Sequence, residues 1–104
     1  MAQKSTWRPH DTHGKLTAAR EQELPESAFA FPAQRKMPLT GPGYVREALA
    51  RFGEVDDASD DERDLAFDNI KKAAAHYRVE MTETDWRQLS TRKNTQEYRR
   101  GNRF

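Results

Sequence analysis

The sequence predicts a small α+β domain, mostly helical, in which a short two-stranded hairpin packs on two main helices flanked by short terminal helices. Apolar residues recur at helical spacing in two separate stretches, one after Thr40 and one after Ser59. Residues 29–39 instead alternate with a period of two around a basic turn. The 104-residue chain is 35% hydrophobic and 34% charged, so its core is small and fits one compact domain, expected over residues 16–89.

The first residues predict an arm followed by a short helix. Residues 1–15 are polar apart from the isolated Trp7, and such a segment cannot bury enough apolar surface to offset its ordering entropy. We therefore expect a flexible arm. Residues 16–24, LTAAREQEL, predict a helix of one or two turns, because Thr17 can cap its start and Pro25 prevents its continuation.

A hairpin with one apolar face is expected next. Phe29 and Phe31 share one face of an extended strand, and Met37 and Leu39 share one face of another. A turn through AQRK pairs Phe31 with Met37 and Phe29 with Leu39. The two phenylalanines are then core anchors, because a lone hairpin is marginal in water and needs a surface to pack on.

The prolines fit this hairpin in one register. Ala30 then faces Pro38, and Pro32 faces Lys36. If these are non-hydrogen-bonded pairs, neither proline removes a ladder bond. The sequence leaves the role of the opposite, small face of the first strand, Ala28 and Ala30, undecided, and this face is where we expect any partner of this stretch to bind.

The first long helix follows the hairpin. Thr40 can cap it, and Pro42 is tolerated in the first turn, where its missing N–H would have no helical partner. Gly53 is expected to end it. Its apolar face consists of Val45, Ala48, Leu49 and Phe52.

The second long helix is expected from about Asp60 to Tyr77. Ser59 and Glu62 have the spacing of a capping box, and the acidic first turn suits the positive end of the helix. Its apolar residues should meet the hairpin together with those of the first helix. They are Ala66, Ile70, Ala73, Ala74 and Tyr77, widened by Leu65 and Phe67.

The C-terminal part is expected to close the core and then to lose order. Thr82 with Asp85 can cap a brief helix, in which Trp86 and Leu89 complete the domain. Residues 90–104 are polar and basic and have no apolar period. They predict a disordered tail.

Composition excludes several classes of function. There is no cysteine, so disulfides, thiolate catalysis and cysteine-ligated metal sites are excluded, and a reducing compartment is expected. No apolar run approaches the roughly 18 residues of a membrane span, and the first residues lack the apolar core of a signal peptide. The sequence therefore predicts a soluble, cytoplasmic protein without a membrane partner.

Two acidic or histidine-rich stretches resemble metal sites only superficially. His10, Asp11 and His13 could contribute ligands to a larger set, but no cysteine completes it and His76 is on a distant helix. The stretch EVDDASDDERD alternates like a calcium loop, yet Glu62 stands where that loop requires glycine. We predict no metal and no cofactor.

No catalytic motif is present either. Ser27 or Ser59 with His76 is a Ser/His combination, but no nucleophile elbow, glycine-rich phosphate loop or zinc-peptidase motif accompanies it. Gly41 and Gly43 bracket a proline, which suits a helix start better than a phosphate cradle. We predict that the protein is not an enzyme and has no small-molecule substrate.

The net charge of +1 conceals an uneven distribution. Residues 1–24 carry +1, residues 25–53 carry +2, residues 54–81 carry −5 and residues 82–104 carry +3. An acidic centre flanked by basic ends can attract itself or a second copy. The basic ends therefore do not by themselves indicate nucleic acid.

Nucleic-acid binding is nevertheless the alternative function. Cations at the hairpin tip, on the first long helix and in the tail accompany an aromatic ring that can stack on a base. The low net charge and the lack of a recognition motif count against it. The residues concerned are Arg35, Lys36, Arg46, Arg51, Arg92, Lys93, Tyr98, Arg99, Arg100 and Arg103.

The segment LPESAFAFPAQRKMPLT, followed by YVREALARF and IKKAAAHYRVEM, resembles a small domain family of unknown function that is associated with short actinobacterial proteins and with phage or prophage proteins. The resemblance covers about residues 16–81 and implies one compact domain, without a reaction, cofactor or catalytic residue. Tyr44 departs from the usual His of the family, and Arg78 from the usual Gly. The matching positions are Leu24, Pro25, Ser27, Ala28, Phe29, Ala30, Pro38, Arg46, Ala48, Ala50 and Arg51.

These observations predict a non-catalytic interaction module that docks on a protein partner or on itself. A small core with arms that carry aromatic residues suits such a protein, since aromatics and arginines are strong anchors once buried. The aromatic residues concerned are Trp7, Trp86, Tyr98 and Phe104.

Overall fold

The chain forms helix α1 over Ala18–Glu23, strands β1 (Phe29–Phe31) and β2 (Lys36–Pro38), helix α2 over Pro42–Arg51 and helix α3 over Asp60–Tyr77. Single 3₁₀ turns precede β1 and follow α2, and a fourth short helix, α4, spans residues 86–89. The structure is a computed structural model that describes residues 5–11 and 16–89. It confirms the predicted fold class, a mostly helical α+β fold with an antiparallel hairpin packed on helices.

Helix α1 begins and ends where the sequence predicts. The Thr17 hydroxyl accepts a hydrogen bond from the Arg20 amide at 3.2 Å. Leu24 is extended, with φ −72° and ψ 143°, because a residue before proline is pushed out of the helical region. None of the residues of α1 is buried, so polar contacts hold this helix in place.

The hairpin register differs by one residue from the predicted one. Phe29 lies opposite Pro38 and Phe31 opposite Lys36, whereas the sequence analysis pairs these phenylalanines with Leu39 and Met37. Two residues with positive φ, Arg35 (53°) and Met37 (63°), cause the shift. A period-two pattern assumes extended backbone throughout, and a residue in the left-handed region breaks that assumption.

The ladder continues past the proline of β2. The Leu39 amide donates to the Ala28 carbonyl at 2.8 Å, so the pairing extends beyond Pro38 although Pro38 itself has no N–H. The turn also moves by one residue and is closed by a bond from the Arg35 amide to the Pro32 carbonyl at 3.2 Å.

Both phenylalanines of β1 are buried, as predicted for core anchors. Phe31 joins the main core, but Phe29 lies outside that cluster with the Arg35 guanidinium 4.8 Å above its ring. Ala28 and Ala30, where the sequence analysis expects any partner of this stretch to bind, are instead both fully buried. The N-terminal segment (residues 5–11) and α3 cover this side of the strand.

Helix α2 starts one residue later than its predicted cap. Gly41 is the N-cap and Pro42 the first helical residue, while Thr40 is buried before the helix. The other end also differs, since Gly53 lies within a 3₁₀ turn, Phe52–Glu54, that prolongs the helix axis.

Helix α3 has the predicted bounds and the predicted capping box. The Ser59 hydroxyl accepts from the Glu62 amide at 3.1 Å, and the Glu62 carboxylate accepts from the Ser59 amide at 2.8 Å. The helix ends with Arg78 in the left-handed region, at φ 60° and ψ 43°.

Trp86 closes the core, as expected. Asp85, rather than Thr82, caps α4, since the Asp85 carboxylate accepts from the Arg87 amide at 2.8 Å. The Trp86 indole N–H donates to the Asp64 carboxylate at 2.8 Å, and the Arg87 guanidinium lies 4.5 Å from the ring centroid. A buried indole with a satisfied N–H stabilises the fold.

Trp7 is a correction to the sequence analysis, which places it on a flexible arm. It is 1% exposed, and its indole N–H donates to the Leu39 carbonyl at 3.1 Å. Asn69 of α3 holds the segment, because its Oδ1 accepts from the amides of Thr6 at 2.8 Å and Trp7 at 3.0 Å, while its Nδ2 donates to the Ala30 carbonyl at 2.9 Å. Burial of one large ring with its polar groups paired offsets the ordering cost.

The main core joins the hairpin, α2, α3, α4 and the N-terminal segment. The Phe31 and Phe52 rings lie 5.5 Å apart between centroids, and the Phe52 and Trp86 rings 6.2 Å apart. The predicted apolar faces of both long helices lie here. They comprise Val45, Ala48 and Phe52 after the hairpin and Ala66, Phe67, Ile70, Ala73 and Ala74 on α3, with Leu49 and Tyr77 partly buried against them.

Candidate functional site

A groove of about 370 Å³ lies between α1, β2 and α2. Its floor is apolar or aromatic, and its rim carries two carboxylates and one guanidinium. It is lined by Glu21 of α1, Met37 and Pro38 of β2, and Tyr44, Glu47, Ala48 and Arg51 of α2.

Helix α2 supplies most of the groove through a second face. Tyr44, Glu47, Ala48 and Arg51 follow the spacing i, i+3, i+4, i+7, so they lie along one side of the helix. The core face, which includes Val45, lies beside it, and Ala48 belongs to both. One helix therefore packs the core and presents the groove at the same time.

Arg35 positions the opposite wall of the groove. Its Nη2 donates to the carbonyl oxygens of Glu21 at 3.2 Å, Gln22 at 3.2 Å and Leu24 at 3.0 Å, so it binds the C-terminal end of α1. A cation is favourable at this negative helix end. The sequence analysis assigns Arg35 to partner contacts, whereas its described contacts lie within the protein.

The other end of this wall is held by the groove tyrosine. The Leu16 amide donates to the Tyr44 hydroxyl at 3.0 Å. The hydroxyl is thus engaged at the edge while the ring lines the groove. This contact gives Tyr44 a structural role, because it holds the chain just before α1.

The groove is weakly acidic. Glu21 and Glu47 oppose one cation, Arg51, so the formal net charge of the lining is −1. Arg51 Nε lies 3.6 Å from Glu47 Oε2, and both side chains are more than half exposed, at 61% and 53%. Such an exposed pair contributes little to stability, and each partner can exchange for a ligand group at low cost.

Lys36 and Arg46 are the other predicted contact residues in the described part of the chain. Lys36 Nζ donates to the Asp57 carboxylate at 3.2 Å and holds the pKa of that carboxyl below its usual value. Arg46 is exposed on α2. The other predicted contact residues, Arg92, Lys93, Tyr98, Arg99, Arg100 and Arg103, lie outside the described residues, as does Phe104.

The structure forms a Ser/His contact that the sequence analysis does not anticipate. His10 Nε2 lies 3.1 Å from the Ser27 hydroxyl, and the Ser27 carbonyl accepts from the Arg8 amide at 2.9 Å. Ser59 instead caps α3, and His76 packs edge-on against the Trp7 ring. Ser27 therefore holds the N-terminal segment against the chain just before β1.

A second contact secures the same segment at the end of α3. The Tyr77 hydroxyl donates to the Asp11 carboxylate at 2.5 Å. Burial, together with this carboxylate, raises the pKa of Tyr77 above its usual value. Tyr77 stays protonated at neutral pH and acts as a donor.

The sequence analysis predicts neither a metal site nor a membrane-spanning helix. Over residues 5–11 and 16–89, no three His, Cys, Asp or Glu side chains form a group that could hold a metal ion; His13 lies outside these ranges. In the same part of the chain, no helix is both long enough and apolar enough to cross a bilayer.

Comparison with curated proteins and with solved structures finds no match to this chain. A family model, in contrast, matches most of it, from residue 10 to residue 84. The match includes the hairpin, both long helices and every residue that lines the groove. The chain therefore belongs to DUF6582, a family of unknown function.

Proposed function

We propose that this protein is a non-catalytic interaction domain whose groove between α1, β2 and α2 binds a basic peptide segment with an aromatic or aliphatic anchor. The observation that carries the proposal is the combination of an apolar floor, which includes Met37 and Pro38, with two rim carboxylates. Shallow clefts of this kind bury an anchor side chain and pair flanking cations.

The size of the groove supports a side-chain anchor. A volume of about 370 Å³ is near the lower end of small-molecule pockets, which hold a ligand almost completely. An anchor ring from a peptide occupies such a space while its main chain remains outside. Tyr44 offers a ring for stacking, and Met37 offers an adaptable thioether surface.

The charges favour a cationic ligand. An incoming arginine can replace Arg51 at the Glu47 carboxylate, and Glu21 lies on the opposite wall for a second cation. Arginine suits both positions, since its planar fork binds carboxylates bidentately and stacks on rings.

A titration of the full chain tests the proposal. The probe is a labelled peptide with a central tryptophan flanked by arginines, followed by fluorescence anisotropy. We expect Glu47→Gln and Glu21→Gln each to weaken binding by about three- to tenfold, because each removes one charged acceptor. Glu54→Gln, which removes an exposed acid outside the groove lining, serves as the matched control and should leave the affinity unchanged.

Two outcomes of this titration would contradict the proposal. Equal losses in Glu47→Gln and Glu54→Gln would show that the probe senses only overall charge. Equal affinity of a probe in which alanine replaces tryptophan would show that the apolar floor takes no part.

Nucleic-acid binding is the second candidate, and the cations around Tyr98 favour it. It requires binding that weakens steeply as salt rises. A gel shift with single-stranded DNA and RNA at low salt checks it, and the absence of any complex would exclude this function. The groove variants should not change such a complex, so the two candidates are separable.

A further inference from the structure

We infer that residues 90–104 of the same chain occupy the groove and compete with a partner peptide. The inference rests on the proposed function, since it assigns one occupant to the same groove. Its argument uses the chemistry of this segment, the place where it leaves the fold and the length of chain available.

The segment has the chemistry that the groove selects. It contains five basic residues and one acidic residue, a net charge of +4, and the groove carries −1. Tyr98 is followed directly by Arg99 and Arg100. The tyrosine can enter the apolar floor while the two arginines meet Glu21 and Glu47.

The segment leaves the fold from the core on which α2 packs. Trp86 of α4 packs on Phe52, with ring centroids 6.2 Å apart. Phe52 directly follows Arg51, which lines the groove. Leu89 comes less than one helical turn after Trp86 and is buried in the same core. The segment therefore starts directly after a residue of the core that also contains Ala48, which lines the groove.

The segment carries its tyrosine on a short tether. Eight residues, 90–97, separate Leu89 from Tyr98, and they span at most about 28 Å when extended. A short flexible tether gives its end an effective concentration on the order of 1 mM. A segment that binds the groove with a Kd of about 100 µM then weakens a competing peptide by about tenfold.

The test compares full-length chains with the same arginine-flanked tryptophan probe. In the anchor variant, Tyr98→Ala, Arg99→Ser and Arg100→Ser are combined, and we expect the probe to bind about tenfold more tightly. The matched control combines Arg92→Ser with Lys93→Ser, which removes the same number of charges but keeps the anchor. It should change the affinity by about twofold or less.

A double-mutant comparison locates the effect. When Glu47→Gln is present, the anchor substitutions should no longer improve probe binding by tenfold, because the segment and the probe use the same carboxylate. Additive effects of the groove and anchor substitutions would overturn the inference, since they would place the segment elsewhere on the protein.

Protein concentration distinguishes the same chain from a second copy. Occupation within one chain predicts an improvement that does not depend on protein concentration and a monomer in sedimentation. An improvement that disappears on dilution would overturn the inference, because the segment would then act between copies.

The inference and the proposed function fail in different ways. Equal probe affinity for the full chain, the anchor variant and the control would overturn the inference and leave the groove as a peptide site. A probe that binds none of these chains, or that binds the anchor variant independently of Glu47, would overturn both.

Discussion

Arg78 ends α3 in a conformation that strains an L residue. At φ 60° its backbone lies in the left-handed region, which costs a residue other than glycine roughly 1–2 kcal/mol. The Val79 amide donates to the Ala74 carbonyl at 2.8 Å, and this bond closes the helix end around Arg78.

Arg78→Gly should therefore stabilise the fold by about 1 kcal/mol, because relief of side-chain strain exceeds the greater entropy of the unfolded chain. Urea unfolding followed by circular dichroism measures the change. The same substitution at Arg46, an exposed position within α2, should destabilise by about 1 kcal/mol. Two changes of the same sign would show that the left-handed conformation is not the determining feature.

At the scale of the elements, Glu62 joins α3 to the hairpin. Its carboxylate accepts from the Ser59 amide at 2.8 Å and from Gln34 Nε2 at 3.0 Å, and Gln34 also donates to the Asp57 carbonyl at 2.9 Å. These contacts, the Ser59 amide first, hold the pKa of Glu62 below its usual value. The capping box thus begins the helix and fixes the hairpin turn.

The lowered pKa gives a pH dependence of known sign. The ionised form is favoured in the folded state, so this stabilisation is present above the unfolded pKa of 4.5 and is lost as pH falls through the lower folded pKa. Glu62→Gln keeps an acceptor for both donors but cannot titrate. We expect a shallower loss of melting temperature between about pH 5 and pH 3, measured by thermal unfolding across that range.

Glu54→Gln is the control for this pH effect, because Glu54 is exposed and lies outside the capping box. It should keep the slope of the native protein. If Glu62→Gln keeps that slope as well, the capping box does not contribute to the acid sensitivity of the fold.

At the scale of the whole molecule, regular patterns in the sequence predict regular structure. The bounds of α3, its capping box and the closing role of Trp86 all follow from local spacing and composition. The hairpin register does not, because the left-handed conformations of Arg35 and Met37 occur at residues without a glycine-like signal. A single such residue shifts every later pair of a short ladder.

The burial of Trp7 in the core could not be predicted from the sequence, for a different reason. Its partner, Asn69, is a polar residue on the buried side of α3, and its role depends on contacts more than 60 residues away along the chain. Local composition reflects only the conformational entropy that residues 5–11 lose when they become ordered. The burial that offsets this cost comes from the tertiary structure.

The groove was only partly predictable. A second i, i+3, i+4, i+7 series on α2, which includes Tyr44 and Glu47, is readable in the sequence beside the core series. Its meaning requires α1 to be placed opposite, and that placement depends on the three carbonyl contacts of Arg35. Arg35, a predicted partner contact, thus also holds the end of α1 in place.

The N-terminal segment provides the sharpest test of the whole fold. Trp7→Ala should destabilise the protein by about 3–5 kcal/mol, since it empties a fully buried site and leaves the Leu39 carbonyl without its indole donor. A chain of this length has a total stability of about 5–15 kcal/mol, so a large part of it is lost. Denaturant unfolding, followed by circular dichroism, measures the shift of the midpoint.

Two variants separate ring packing from other effects of this segment. Trp7→Phe keeps an aromatic ring but loses the bond to Leu39, so it should cost less than Trp7→Ala. Arg8→Ala changes an exposed neighbour whose backbone amide still binds Ser27, and it should cost less than about 0.5 kcal/mol. An unchanged midpoint in Trp7→Ala would support the flexible arm that composition alone predicts. A ring that packs in the core instead makes residues 5–11 part of the unit that unfolds cooperatively, so its removal must lower the midpoint.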